Sequence, residues 1–293
     1  MNKIIVFLSL IAITFSQNNI AGYSIFDMHE TDGFDIKRAY FQYTDDISDE
    51  LFFKIRFDVG RDSDGDDTKL SAYIKNAYVD WSAYNSVLLS LGLISTNTYG
   101  VQEKNWGYRF IDKSVFDKYK MTNTADFGIG MAYQTGSLGV SVQLLNGEGY
   151  KNIDADGEQS VYFRAMYGEK NLVKNSGYNF GLVGSNSESS DMLGYFAGWS
   201  SDKIRIGFES GSYDNNGVVE EATGLYANYS ICDKCNIFIR HDLNDLDADD
   251  PIDPIEQTMV GMVWNPTKGL YMSPNIAISD DVNTYRLTWM FKY

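Results

Sequence analysis

The sequence predicts an all-β protein, a transmembrane antiparallel β-barrel of sixteen strands, with fourteen as the alternative count. Three observations lead there. Runs of alternating apolar and polar residues recur along almost all of the 293-residue chain. The connections between runs form two sets, one short, the other often longer and acidic or glycine-rich. The chain also ends on such a run, Asn283 to Tyr293. There Tyr285, Leu287, Trp289, Phe291 and Tyr293 share one face, and Arg286, Thr288, Met290 and Lys292 the other. A soluble protein rarely spends five large apolar residues on a fraying last strand. A barrel must pair its last strand with its first, so that no edge is left in lipid.

Composition agrees. Aromatics make up 15% of the chain, 21 of them tyrosine, and there are four prolines. That mixture suits many strands ending at membrane interfaces. Beyond the N-terminus no segment approaches the ~20 apolar residues of a spanning helix, which excludes a helical membrane protein. The modest mean hydropathy does not exclude a barrel, whose strands alternate. A formal net charge of −16 argues against a nucleic-acid partner. Residues 1–16 have the pattern of a secretory signal, with Lys3, an apolar run from Ile4 to Ile13, and the small-residue cleavage site Thr14-Phe15-Ser16. Residues 17–293 then form a single barrel domain with no plug.

In chain order, residues 18–30 form a first run with Tyr23, Phe26 and His29. Runs 33–44 and 50–60 make the clearest hairpin, because Leu51, Phe53, Ile55, Phe57 and Val59 alternate with Phe52, Lys54, Arg56 and Asp58. Runs 69–82 and 86–95 follow, after the acidic connection Arg61 to Thr68. The longest connection, Ser95 to Thr124, precedes runs 125–135 and 137–146, which flank Thr135-Gly136-Ser137. Runs 159–168 and 177–185 come next, then 191–200 and 203–212 about Ser200-Ser201-Asp202. Asp214 to Glu221 is expected to be a loop. Runs 222–231 and 235–243 flank Cys232 to Lys234, and Asn244 to Glu256 is an acidic loop. Runs 257–265 and 269–278 flank Pro266-Thr267-Lys268. Pro274 argues against a central position for its strand. Residues 283–293 close the series. An even count puts both termini on one side.

Several stretches resemble a known family. Phe34-Asp-Ile-Lys-Arg-Ala-Tyr-Phe, followed by Ser48-Asp-Glu-Leu-Phe-Phe-Lys-Ile-Arg-Phe-Asp, resembles the opening hairpin of the porin O/P family of outer-membrane porins. Ile74-Lys-Asn-Ala-Tyr-Val-Asp-Trp is similar to that family's next strand. Phe110-Ile-Asp-Lys-Ser-Val-Phe is similar to its long loop. Ala125-Asp-Phe-Gly-Ile-Gly-Met with Leu144-Leu-Asn-Gly-Glu-Gly is similar to the hairpin after it. The resemblance covers roughly residues 33–150. It implies a trimeric sixteen-stranded barrel with a pore narrowed by a loop, phosphate being favoured by some members.

With the apolar faces toward lipid, the opposite faces carry Arg38, Lys54, Arg56, Arg164, Arg205, Arg240 and Arg286 into the lumen. Charges facing lipid would cost several kcal/mol each near the midplane. A cationic wall concentrates anions. The alternative is that these cations pair with lumen acids such as Asp58, Glu209 and Asp242 and only support the wall. Residues 95–124 bring Arg109 and Lys113, with enough apolar side chains to pack. A loop this long is expected to fold into the lumen as a constriction, an external cap being the alternative. Asp62, Asp64 and Asp66, with Gly65, resemble the start of a calcium loop but lack a distal glutamate. A solvated external rim is the plainer assignment. Cys232 and Cys235 suggest a small disulfide across a turn or two inert thiols, a redox or metal site being the weaker alternative. His29 and His241 are the only histidines, so a hydrolase is the weaker alternative to a channel. An adhesin or structural anchor is a further one. The expectation is a non-enzymatic outer-membrane diffusion porin without a cofactor. Its partners are membrane lipid, lipopolysaccharide and small hydrophilic solutes or ions.

Overall fold

The structure, a computed structural model, describes residues 19–30, 33–61, 70–152, 157–248, 254–279 and 282–293. The secretory signal and the calcium candidates Asp62, Asp64 and Asp66 lie outside the described residues. The strands are β1 (Ile20–His29), β2 (Gly33–Asp46), β3 (Leu51–Arg61), β4 (Leu70–Tyr84) and β5 (Val87–Ile94). The helices α1 (Gly100–Trp106) and α2 (Val115–Lys118) follow. Next come β6 (Asp126–Thr135), β7 (Leu138–Leu145), β8 (Ser160–Gly168), β9 (Gly177–Asn186), β10 (Ser190–Ser200) and β11 (Ile204–Asn215). The last five are β12 (Val218–Cys232), β13 (Cys235–Asp245), β14 (Ile255–Thr267), β15 (Leu270–Ser279) and β16 (Val282–Lys292). All sixteen join in sequence order into one closed antiparallel barrel.

Closure rests on the two terminal strands. β1 and β16 pair from Tyr23↔Lys292 to His29↔Arg286. Gly22 then exchanges both backbone bonds with Tyr293, at 3.2 and 3.1 Å, so the seam ladder continues as far as Tyr293. On the outer surface Phe26 stacks on Trp289 at 5.7 Å, with Phe291 edge-on to Phe26 and Phe34 edge-on to Trp289. β7 shows how the alternation is used. Leu138, Val140, Val142 and Leu144 are exposed outward, while Gly139, Ser141, Gln143 and Leu145 are buried inside. Repeated round the barrel, this gives the outward apolar belt that lipid requires.

Two expectations need correction. β15 is a central strand although it contains Pro274. The proline lacks an N–H, but the ladder to β14 is interrupted there, running to Gly261↔Asn275 and resuming at Trp264↔Met272. Asp214 to Glu221 is not a loop. β11 and β12 continue through it and turn at Asn216 and Gly217, whose φ of 54° and 86° are both left-handed. Asn-Gly is the pair that a tight hairpin favours. Cys232 and Cys235 face each other in register across their turn as free thiols, the second of the two readings of the pair. The Lys234 N–H donates to Cys232 Sγ at 3.4 Å.

Candidate functional site: the lumen and its long loop

The connection between β5 and β6 touches strands on all sides of the ring, which only a segment inside it can do. Asn97 bonds Ser141 and Gln143 of β7. Asn105 and Asn179 of β9 exchange amide bonds of 2.8 Å. Lys37 of β2 donates to the Ile111 carbonyl at 3.2 Å. The Val115 N–H donates to Glu209 of β11, and Lys118 reaches Asp242 of β13 at 2.7 Å and Gln257 of β14 at 2.6 Å. Helix α1 ends at Gly107, whose φ of 81° satisfies the Glu103 carbonyl through its N–H at 2.8 Å. A Cβ there would also strike the Arg205 guanidinium.

Two apolar clusters fix this loop. Val101, Val115, Phe116 and Met121 pack on Met166, Val183, Met192 and Phe196. Trp106, Phe110 and Ile111 pack on Ile25, Tyr226, Phe238, Met259 and Val263. Burial of this kind is worth about 1.5–3 kcal/mol per large side chain, before the entropy of ordering the loop is subtracted. Between the loop and β1–β3 lies a cavity of about 460 Å³. Its lining carries Arg56, Lys104, Arg109, Lys174 and Lys292 against Glu103 alone among acids.

The family model of the phosphate-selective porins O and P matches residues 17–168, just over half of the chain. The chain belongs to this family. Comparison with curated proteins gives no match. Among solved structures, a loop-deletion mutant of OmpT, an outer-membrane protein of Vibrio cholerae, superposes with a TM-score of 0.63 at 12% identity. That match covers 94% of this chain and 98% of the other. A mutant of the Rh. blastica porin gives 0.63 at 14% identity, over 94% and 99%. A trimer form of the Vibrio cholerae OmpT gives 0.57 at 10% identity, over 94% and 98%. At these identities the likeness is one of fold. With the family it makes the chain an outer-membrane porin.

In this porin the sequence-predicted cations divide into two groups. Arg38 pairs with Asp58 at 3.1 Å, and Arg240, 1% exposed, with Asp242 at 2.8 Å. Arg240 also donates to the Lys113 carbonyl. The others meet neutral oxygens. Arg56 donates to Gln42 Oε1, Arg164 to the Asn97 carbonyl, Arg205 to the Trp106 carbonyl and Arg286 to Asn275 Oδ1. Lys54 lies over the Tyr78 ring at 5.6 Å. Among the described residues no carboxylate lies within 4 Å of these five cations. Glu209 accepts the Val115 N–H rather than an arginine.

On the loop, Arg109 bridges Glu103 at 2.5 Å and Asp117 at 3.2 Å, and Lys113 reaches Asp117 at 3.0 Å. Burial pushes the Glu103 carboxyl up, against the pull of Arg109. Burial also acts on Asp117, but Arg109 and Lys113 outweigh it and hold that carboxyl below its usual range. Burial likewise opposes ionisation of Asp112, and Lys118 and Arg240 overcome it.

Two inward cations escaped sequence reasoning. Lys75, 4% exposed, joins Arg38 and Arg56 around the Tyr40 ring, the three at 5.4, 5.6 and 5.3 Å from its centre. Lys37 reaches Asp27 and the loop. Both sit at register shifts, where a bulge adds a residue and turns inward a side chain that strict alternation sends out. The signal was present, because a lysine stood in an outward register on each strand. His29 contacts Asp27 at 3.3 Å and His241 contacts Thr258 at 2.8 Å.

Proposed function

We propose that this porin is a non-enzymatic diffusion channel for small hydrophilic solutes and ions, narrowed by residues 95–124, with a mild preference for anions. The observation that carries it is the excess of cations along the passage. Arg56, Arg164 and Arg205 bond neutral oxygens, and the cavity beside the loop has five cations to one acid. The acidic charge of the whole chain opposes this preference. Distance decides between them: at ~0.15 M salt the Debye length is about 8 Å, so remote acids are screened while charges in the throat are not. Residues 1–16 act as a secretory signal and 17–293 as a single barrel, with the short turns on the periplasmic side. The partners are outer-membrane lipid and lipopolysaccharide, and the assembly is a homotrimer like the trimer form of OmpT.

The test is the reversal potential of refolded protein in a planar bilayer under a salt gradient. Mild anion preference is expected at physiological salt, weakening or reversing at low salt. Replacing Arg56 and Arg164 together by glutamine should move the potential toward cations. A wild type already cation-selective at high salt ends the proposal.

A further inference from the structure

At the turn end of the barrel a second cavity, of about 390 Å³, opens between the loop and the wall of β10–β16. Its lining combines three kinds of chemistry. Tyr108, Phe110 and Tyr271 form a continuous row of rings, with centres 6.4 and 6.2 Å apart. Lys203, Arg205 and Lys292 supply cations, against Asp202 as the one acid in the lining. Asparagine side chains supply directed hydrogen bonds.

Two of the polar groups are unspent. Asn228 is 5% exposed and its Nδ2 donates to the Trp106 carbonyl at 3.3 Å, while its Oδ1 has no partner among the described residues. Arg205 donates one terminal nitrogen to the same carbonyl and lies 5.2 Å over the Tyr108 ring, while its Nε has no partner. By contrast Asn236 accepts from Ser230, and Asn265 donates to two backbone carbonyls, so those amides are occupied.

These requirements differ in kind, so one ligand class must meet all of them. An unsatisfied buried acceptor calls for a donor, which an ionised simple carboxylate does not offer; a hydroxyl does, whether on a sugar or on hydrogen phosphate, so the rings must separate those two. The arginine Nε and the two lysines call for an anion. A row of rings calls for a flat apolar face, which the C–H side of a pyranose presents. The volume is within the range of small-molecule sites, in which a few placed polar groups fix orientation.

We propose that this cavity is a binding station for a sugar acid, a hydroxylated ring bearing one carboxylate, at the turn end of the solute path. The carboxylate lies toward Arg205 and Lys203, a hydroxyl donates to Asn228 Oδ1, and the ring rests on Phe110 and Tyr271. The station rests on the diffusion-channel reading for its role, but its binding can be measured without conduction.

The experiment titrates refolded porin in detergent with glucuronate, glucose, acetate and inorganic phosphate at matched ionic strength, following tryptophan fluorescence. Glucuronate should half-saturate at a concentration at least tenfold below each of the other three. Asn228→Leu and Tyr271→Ala should each raise that concentration at least tenfold. If Asn228→Leu loses its heat-modifiable migration, Tyr271→Ala decides. Acetate or phosphate equal to glucuronate would mean that charge alone is recognised and would overturn the proposal. So would glucose equal to glucuronate, no saturation by glucuronate, or unchanged binding in Tyr271→Ala. Conductance in potassium chloride reads the channel separately: protein that conducts without binding glucuronate loses only the station, and protein that binds without conducting loses only the channel.

Discussion

The two sides of the inner wall are built differently. Along β8–β12 the inward positions include Met166, Val183, Met192, Phe196 and Ala222, which meet apolar residues of the loop. Glycines there leave room for it: a Cβ on Gly194 or Gly211 would lie 2.6 or 2.9 Å from the Phe116 ring. Along β2–β4 the same inward register carries Arg38, Arg56 and Lys75 around Tyr40, and Lys54 over Tyr78. One wall is therefore largely a core, with Arg164 and Arg205 bonding loop carbonyls beside it, and the other is a wet surface of cations and rings. The lesson is that "inward" in a barrel is a direction, and what fills it depends on whether a loop lies against it.

The largest expected effect comes from breaking the core side. Phe116 is wholly buried, so Phe116→Ala should cost about 3–5 kcal/mol, taken from the docking of the loop rather than from the barrel. The loop should detach and single-channel conductance rise severalfold, with more open-channel noise. Gly194→Val fills the space of the same ring, the nearest atoms to its Cβ being those of Phe116, and should do likewise with Phe116 intact. Adding Phe116→Ala to Gly194→Val should then cost less than the two single effects together, because both act on one contact. Conductance of Phe116→Ala within twofold of wild type would show that this wall does not hold the loop.

The next effect separates paired from unpaired cations. Arg240 and Asp242 are each about 1% exposed, and removing one partner of such a pair typically costs about 3–5 kcal/mol. Arg240→Gln should lower the temperature at which the barrel unfolds in detergent. Among the described residues the Arg56 guanidinium donates only to the neutral Gln42 side chain. Arg56→Gln should leave that temperature in place and shift the reversal potential toward cations. If both variants change the same observable, the division of the wall into supports and throat fails.

Much of this was legible before the structure. Period-two alternation marks every strand because lipid imposes it on each one, and the closing strand shows it most plainly in Tyr285 to Tyr293. The turns were legible where a special conformation was needed, and the Asn216-Gly217 pair announced a hairpin that an acidic context concealed. What alternation cannot convey is the partner of an inward side chain. Met192 and Phe196 read as interruptions of a polar face until the loop is placed over them. Inward glycines such as Gly194 and Gly211 look like weak strand positions until Phe116 occupies the space. Bulges are hidden for a related reason: they change the register by one residue, and Lys37 and Lys75 change sides with it.

The smallest effect sharpens the wet side, and it concerns two carboxyls around one guanidinium. Glu103 and Asp117 both bond Arg109, yet their titrations move in opposite directions. Burial raises Glu103, so its proton binds more tightly in the folded protein. That contribution to stability is complete at low pH and fades as pH rises through the raised value. Asp117 and Asp112 are held below the usual range, Asp117 chiefly by Arg109 once burial is overcome, and Asp112 by Lys118. Their contribution is complete above the ordinary carboxylate value of ~3.9 and is lost only as pH falls through the lowered values. In the window above ~3.9, falling pH should therefore neutralise Glu103 while Asp112 and Asp117 stay ionised and keep the loop docked. The cavity beside the loop then loses the one acid in its lining and keeps its cations. The reversal potential should move toward anions as pH falls through the raised Glu103 value, without the rise in conductance and noise expected of a detached loop. Glu103→Gln should flatten that slope and sit at the low-pH value throughout. A slope that survives in Glu103→Gln would assign the titration to another group and leave the loop's charge constant over this range.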